Sequence, residues 1–280
     1  MPLDEGLLSH VESLDPLPIS AQRLIAVMGD EDVAIEEIVE IVENDPAVAA
    51  NLLRMANSPL YGGRFKIERL RDAVVRLGAP VLLDIALGGY LRKVGGDAPL
   101  YDLSEDDLWL HSAVAAQAAR EIIHDAPIEV PASAGVAALV HDIGKLIMVR
   151  YRKANADAAL AECRRAGCSF IEAERTLYGC DHAEVGGAIA RRWNFPAPVT
   201  EAIERHHDYP LPAGSPILDA VVAANYVAKT IGVGLGAEGL NMKIDNSCLK
   251  RLGLDFEGFC RLCAKTAARM AELRKAYGLS

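Results

Sequence analysis

Apolar residues recur along this chain at steps of three and four, and the alternation expected of half-buried strands is scarce. Alanine and leucine dominate, and β-branched residues fall at the helical steps. The pattern predicts an all-α protein. Pro16, Pro18 and Ser20 lead into a helix with Ala21, Leu24, Ile25 and Met28 inward. A second helix turns Ile35, Ile38, Val39 and Val42 inward and glutamates outward. Asp45-Pro46 supplies an N-cap and a first-turn proline to a third, which buries Leu52, Leu53 and Ala56. After a turn at Asn57 to Gly63, Ile67, Leu70, Val74 and Leu77 line a helix that ends at Gly78, and Ala79-Pro80 opens another.

The stretch VGGDAPLYDL after Lys93 breaks this rhythm. It divides the chain into a helical subdomain over 1–95, a second over 96–235, and an extension over 236–280. The extension carries a predicted tail helix from Phe256 to Tyr277, with Phe259, Cys263, Ala267 and Met270 on the side that packs back on the bundle. In the second subdomain Ser104 and Asp107 make a capping pair for a helix with Leu108, His111, Ala115, Ala118 and Ile122 inward. Ala134 to Arg150 reads as one helix, with Val136, Leu139, Val140, Ile143 and Ile147 as its core stripe and His141, Asp142 and Lys145 on a neighbouring face. Ser169 with Glu172, and Asp181 with Glu184, cap two more helices, and Pro198 and Ser215-Pro216 open the last pair.

Five successive inward faces thus carry polar side chains: His111, His141 with Asp142, His182, His206 with His207, and Asn225. One histidine on an apolar face is usually a hydrogen-bonded core residue. Burying five sets without partners would cost about 1–3 kcal/mol each, so a hydrogen-bonded cluster or a bound metal is expected. Imidazole with carboxylate suits iron, manganese, zinc or nickel, and the residues do not choose among them. The first hundred residues hold no histidine after His10, no glycine-rich phosphate loop and no nucleophile beside a base. They read as a bundle that binds or transmits.

Composition narrows the classes. A net charge of −10 argues against a general nucleic-acid binder. Charge-free runs reach about 12 residues, short of the roughly 20 that a membrane helix needs, so a soluble cytoplasmic protein is expected. Six cysteines fit reduced thiols better than a disulfide framework, and Cys260-to-Cys263 lacks a second pair at zinc spacing. The acidic first fifty residues and the basic next fifty offer faces that could pair between copies.

The separated His111, the His141-Asp142 doublet with Gly144-Lys145, His182 and the His206-His207 pair resemble the HD superfamily of metal-dependent phosphohydrolases. Over about residues 14 to 230 the chain is more similar to one branch, the HDOD domain proteins of bacterial signalling. The stretches LDPLPIS, ENDPAVAANLLRMANSPLYG, RDAVVRLG and DHAEVGGAIARRWNFPAPVTEAIERHH carry that resemblance. It implies an N-terminal bundle packed on an HD-like bundle, and a regulatory module acting through protein or ligand binding without turnover. The partner would be a signalling protein in trans. From the catalytic relatives it also implies His111, His141, Asp142 and the position of Asn225 as ligands of one divalent metal. Asp107, His182, His206 and His207 would serve a second, and Lys145 would face a phosphate oxygen. The alternative is therefore a metal-dependent phosphohydrolase or phosphodiesterase acting on a nucleotide or cyclic dinucleotide. Two departures weigh against it. A neutral amide, Asn225, stands where the superfamily has its closing aspartate, and the loop after the histidine pair is cut to Asp208-Tyr209-Pro210.

Overall fold

The structure, a computed structural model, describes residues 5–27, 33–63, 65–95, 104–152, 156–208, 215–235 and 245–277, and every regular element among them is a helix. Three short helices, α2 (Ile19–Val27), α3 (Ile35–Glu43) and α4 (Pro46–Ala56), pack on the long α5 (Leu70–Gly95). Leu24, Ile41, Leu52 and Leu82 fill the space between them. Asp45 caps α4 by accepting from the Ala47 and Val48 amides at 3.1 Å, as its place before Pro46 predicts. The inward line of α3 is Ile38, Ile41 and Val42 rather than one that starts at Ile35, which is exposed at the first turn. Met28 lies outside the described residues.

Helix α5 bends at Gly78, whose φ of 74° is open to glycine at little cost, so two predicted helices run end to end. Leu70–Leu91 is long and apolar enough to cross a membrane, a property the distribution of charges did not foretell. Its apolar length is explained by burial on two sides, since α5 touches α2, α3 and α4 and also the second bundle.

That second bundle is built around α6 (Glu105–Asp125), which packs against α7 (Ser133–Val140) and α13 (Pro216–Thr230). Around them stand α8 (Gly144–Arg152), α11 (His182–Arg192) and α12 (Ala197–Arg205), with α9 (Ala156–Ala166) and α10 (Phe170–Tyr178) paired beside α11. The capping boxes of Ser104, Ser169 and Asp181 all form. The first helix, α1 (Glu5–Glu12), crosses over to rest on α8 and α11.

The single helix expected from Ala134 to Arg150 is instead two. Bonds of the i→i+3 kind, Ile143 to Val140 and Lys145 to Asp142, tighten the chain into a turn at residues 141–143. The tail likewise breaks, at Arg269, into α15 (Phe256–Ala268) and α16 (Met270–Tyr277), after the short α14 (Ser247–Arg251). Its inward line is Gly258, Leu262, Thr266, Leu273 and Ala276, whereas Ala267 is exposed.

The tail lies across the seam between the bundles. Lys265 donates to both oxygens of Asp125 at 2.9 and 2.6 Å, Arg269 reaches the Leu60 carbonyl at 3.3 Å, and Arg54 reaches the Ala276 carbonyl at 2.7 Å. Beneath it, buried Asp84 of α5 forms an ion pair with Arg120 of α6. Arg71 of the basic stretch pairs with Glu36 of the acidic one within the chain, and Arg23 with Glu40 inside the acidic one. All six cysteines are free.

Candidate metal centre

The two adjacent polar pairs, His141-Asp142 and His206-His207, both sit where a helix stops. Neighbouring residues inside an α-helix point about 100° apart, so a doublet can serve one site only if the helix yields. It does so at the turn after α7, and again after Arg205, where His206 caps α12 with φ −65° and ψ −8°. The other contributors come from helix bodies or starts: His111 from α6, Lys145 from α8, His182 from the first turn of α11.

Gly144 makes the assembly possible. A Cβ there would lie inside the His182 carbonyl oxygen and 2.8 Å from the Gly186 nitrogen, so only glycine lets α8 approach α11 this closely. That approach brings Asp142 against His182.

The Asp142 carboxylate is the hub. Its Oδ2 lies 3.3 Å from His141 Nε2, 3.5 Å from His111 Nε2 and 2.6 Å from Lys145 Nζ. Its Oδ1 lies 3.1 Å from His182 Nε2 and 3.5 Å from His206 Nε2. His207 completes the group, its ring 4.1 Å from that of His206 and 4.9 Å from that of His182. The donor atoms fall into two sets that share Asp142: His111, His141 and Asp142, and Asp142, His182, His206 and His207. The atoms of each set lie within 4.8 Å of one another.

The far side of each ring fixes its tautomer. Nδ1–H of His111 donates to the Val233 carbonyl at 3.1 Å, that of His141 to Ala138 at 2.7 Å, and that of His206 to Ile203 at 2.7 Å. A carbonyl only accepts, so each Nδ1 carries the proton and each Nε2 lone pair of a neutral ring faces the hub. Nδ1–H of His182 donates to Glu174 Oε2 at 2.8 Å, and the same oxygen accepts the His182 amide at 3.2 Å. A carboxylate behind a histidine whose other nitrogen faces inward is the outer-shell arrangement that orients metal-binding imidazoles.

Charge follows from this geometry. Burial holds His141 well below its ordinary pKa against the pull of Asp142, and the closeness of His206, His111 and the Lys145 ammonium makes a proton there costlier still. Burial does the same to His207, helped by His206, His182 and Lys229. For His182 burial acts downward, but the Glu174 and Asp142 carboxylates outweigh it and raise the imidazole to about 10. Burial alone would raise Asp142. His141 and Lys145, with His182 and His206 close to its other oxygen, together hold it well below the carboxylate range.

Of the residues singled out in the sequence, His111, His141, Asp142, Lys145, His182, His206 and His207 come together. Asn225 is buried on α13, which packs on α6, α7 and α12, and its Oδ1 has no hydrogen-bond partner. Asp107 is placed differently. It is exposed, and its Oδ2 accepts from the Ser104 amide at 3.0 Å and hydroxyl at 2.6 Å, so its carboxylate closes the cap of α6. Sequence reasoning missed two residues, Glu174 and Lys229. Both carried a signal, Glu174 in register with inward Phe170 and Ala173, and Lys229 one turn beyond Asn225.

Next to Asp142 the protein has a cavity walled by Leu91, Leu108, Trp109, Leu139, Val140, Ile143 and Leu146, with Ser112 as its one other polar side chain. A transition metal fits the donor set: the imidazoles of His111, His141 and His206 with Nδ1–H held on carbonyls, His182 backed by Glu174, one shared carboxylate, and a buried His207 Nε2 without a hydrogen-bond partner.

The HDOD domain profile matches residues 14–209. An HDOD domain protein of unknown function from Geobacter sulfurreducens has the same fold, with a TM-score of 0.76 and 25% identity over 97% of this chain and 96% of that one. A Marinobacter aquaeolei VT8 chain named as a candidate signal transduction protein gives a TM-score of 0.76 at 22% identity, over 99% of this chain and 62% of its own. An uncharacterized protein of Treponema pallidum (strain Nichols) is 23% identical over 239 residues, 80% of this chain but only 44% of that protein. The chain therefore spans less than half the length of that curated relative. With the profile covering well over half of its residues, the chain belongs to the HDOD domain family.

Proposed function

We propose that this protein is a signal-transduction module that works by binding, and that its HD-like centre holds a divalent transition metal as a fixed part of the fold rather than for turnover. One observation carries the metal. His111 Nε2 and His141 Nε2 are 3.3 Å apart while both Nδ1–H groups are committed to carbonyls. Two facing lone pairs repel unless a proton or a cation lies between them, and burial disfavours the proton on His141. His111, His141 and Asp142 would hold one ion, and His182, His206 and His207 would hold a second against the other carboxylate oxygen.

When bound, such an ion supplies Lewis acidity and lowers the pKa of a coordinated water. Phosphoryl chemistry also needs a clamp on the anionic substrate. The cavity beside Asp142 offers aliphatic walls and an indole instead. Lys145, the cation that would provide the clamp, is 1% exposed and engaged with Asp142. A neighbour of the same fold, named as a candidate signal transduction protein, supports the regulatory reading. Input from a protein partner in trans belongs to the same proposal. Hydrolysis of a nucleotide or cyclic dinucleotide is the second reading, favoured by the buried cation pair Lys145 and Lys229 around the histidines.

The test is elemental mass spectrometry on tag-free protein, with His141→Ala alongside, followed by a screen of nucleotides and cyclic di-GMP. One or two equivalents of metal, lost in the variant, and no turnover are expected. Folded but metal-free protein overturns the metal, and turnover that His141→Ala abolishes overturns the binding reading.

A further inference from the structure

Two thiols meet at the corner between α9 and α10. Helix α9 ends on Gly167, whose φ of 64° is left-handed and whose amide donates to the Cys163 carbonyl at 2.9 Å. A Cβ at residue 167 would meet nothing within 4 Å, so glycine is used here for its backbone freedom and not for space. At a helix end of this kind the chain folds back, and the residue after the glycine packs on the last turn of the helix. Cys168 is that residue, and Cys163 lies on that turn. Cys168 Sγ stands 3.9 Å from the Glu162 carbonyl oxygen, and the Cys163 and Cys168 thiols are in hydrogen-bonding contact.

The other four cysteines are placed differently. Cys260 and Cys263 stand three residues apart inside α15. Side chains at that spacing have Cβ atoms about 5–6 Å apart, beyond the roughly 3.5–4.5 Å that a disulfide spans. Cys180 and Cys248 are buried, with their thiols on the Tyr178 carbonyl at 3.8 Å and the Asp245 carbonyl at 3.5 Å. Within the corner pair access is unequal. Cys163 has no exposed surface, whereas Cys168 is half-buried. Burial, with Cys168 beside it, pushes the Cys163 thiol up to about 11. A small oxidant therefore meets Cys168 first, with Cys163 waiting behind it.

We infer that Cys163 and Cys168 are an oxidation site, joined in a reversible disulfide when the protein meets a hydroperoxide. The Cys168 sulfur attacks one peroxide oxygen, the O–O bond breaks, and the displaced oxygen leaves with the thiol proton as water or an alcohol. The sulfenic acid so formed is attacked by the Cys163 sulfur. The S–S bond forms as the S–O bond breaks, and the hydroxyl leaves with the Cys163 proton as water. The two sulfurs give up two electrons between them, and the peroxide accepts both. Cys168 directly precedes Ser169, whose capping box with Glu172 starts α10, and α10 carries Glu174 against His182. The bridge thus locks the corner from which that helix starts. The inference is independent of whether the histidine centre holds a metal.

The test treats the reduced full chain with hydrogen peroxide, alkylates the remaining thiols in denaturant, and maps tryptic peptides by mass spectrometry. Trypsin cuts after Arg164 and Arg165, between the two cysteines, so the bridge is read as a linked pair of peptides that has lost two hydrogens. That pair should form in natively folded protein and come apart with dithiothreitol. Cys163→Ser should leave Cys168 as a sulfenic acid that dimedone traps, whereas Cys168→Ser should leave Cys163 reduced. Exposed Cys260 is the internal measure of peroxide dose. If Cys163 and Cys168 are both still alkylated at a dose that oxidises Cys260, the assignment is overturned. It is overturned equally if Cys168 goes on to the sulfinic acid without bridging, or links to a second copy instead of to Cys163.

Discussion

Replacing Gly144 by alanine tests how tightly α8 and α11 must pack to form the centre. In an ordinary helical position the change would stabilise by about 1 kcal/mol, because alanine is the better helix former. Here the new Cβ would meet backbone, at 2.8 Å from both the Gly186 nitrogen and the His182 carbonyl carbon. No rotamer change relieves a backbone contact, so the helices must part by about 1 Å. Overpacking of this kind costs about 1–3 kcal/mol, and since backbone is the obstacle the upper end applies. The expected net loss is about 2 kcal/mol. Gly89→Ala is the internal control, because its Cβ meets nothing within 4 Å and should leave stability unchanged or raised. Urea unfolding at matched m-values reads both. The same parting lengthens the 3.1 Å approach of His182 to Asp142, so metal content should fall with stability. Gly144→Ala at or above native stability would refute the argument that glycine is needed there.

Glu174→Gln keeps shape but removes the charge behind His182, and metal affinity should drop about 10–100-fold; an unchanged affinity by competition with a chelator would deny Glu174 that role. Asn225→Asp restores an anionic oxygen on α13 and should raise metal affinity, read by the same competition, with no gain counting against Asn225 as part of the centre. The metal-free protein should be most stable near neutrality. His141 and His207 are kept below 6.5, so the unfolded chain binds protons that the fold refuses, and stability falls as pH drops below that value. Asp142 adds a further loss below 3.8. His182, raised to about 10, contributes fully below 6.5, and that contribution fades as pH climbs toward 10. Urea midpoints that stay flat between pH 5 and 7 would contradict this.

Much of the centre was legible because helical periodicity needs no tertiary information. His111, His182 and Asn225 each share a register with apolar neighbours, and each is buried. What the period could not give was the two places where it fails. A tight turn at residues 141–143 is invisible in AALVHDIGKLIM, because the apolar period runs through it unbroken and Gly144, the poorest helix former of the stretch, falls after the turn. Asp107 shows the opposite error. One turn before His111 it reads as a ligand, and three residues after Ser104 it reads as a cap; the local hydrogen bonds decide for the cap. Glu174 is masked in the sequence by Glu172, two residues earlier on the same helix, whose capping role accounts for a carboxylate there without a site. The cavity that opens in the seam between the bundles could not be read at all, since its walls come from α4, α5, α6 and α16.

Lys145 separates a metal-holding centre from a merely polar core. Its ammonium lies 2.6 Å from Asp142 Oδ2, both side chains are all but fully buried, and the same oxygen faces His111 and His141. In the absence of metal the raised His182 faces Oδ1 of the carboxylate, and on Oδ2 the ammonium charge is that of the lysine. Lys145→Met removes it at nearly constant volume and leaves Asp142 buried with imidazoles alone. Breaking a buried pair in this way costs about 3–5 kcal/mol, so the metal-free variant should unfold at markedly lower urea than the parent. A divalent ion held by His111, His141 and Asp142 restores positive charge at the same oxygen. Added zinc or manganese should therefore recover most of the loss in Lys145→Met, and stabilise it more than it stabilises the parent. If the centre is only a hydrogen-bonded core, metal recovers nothing. Full stability of Lys145→Met without metal would mean that Asp142 is already neutralised by histidine protons, and the case for a cation between His111 and His141 would fall with it.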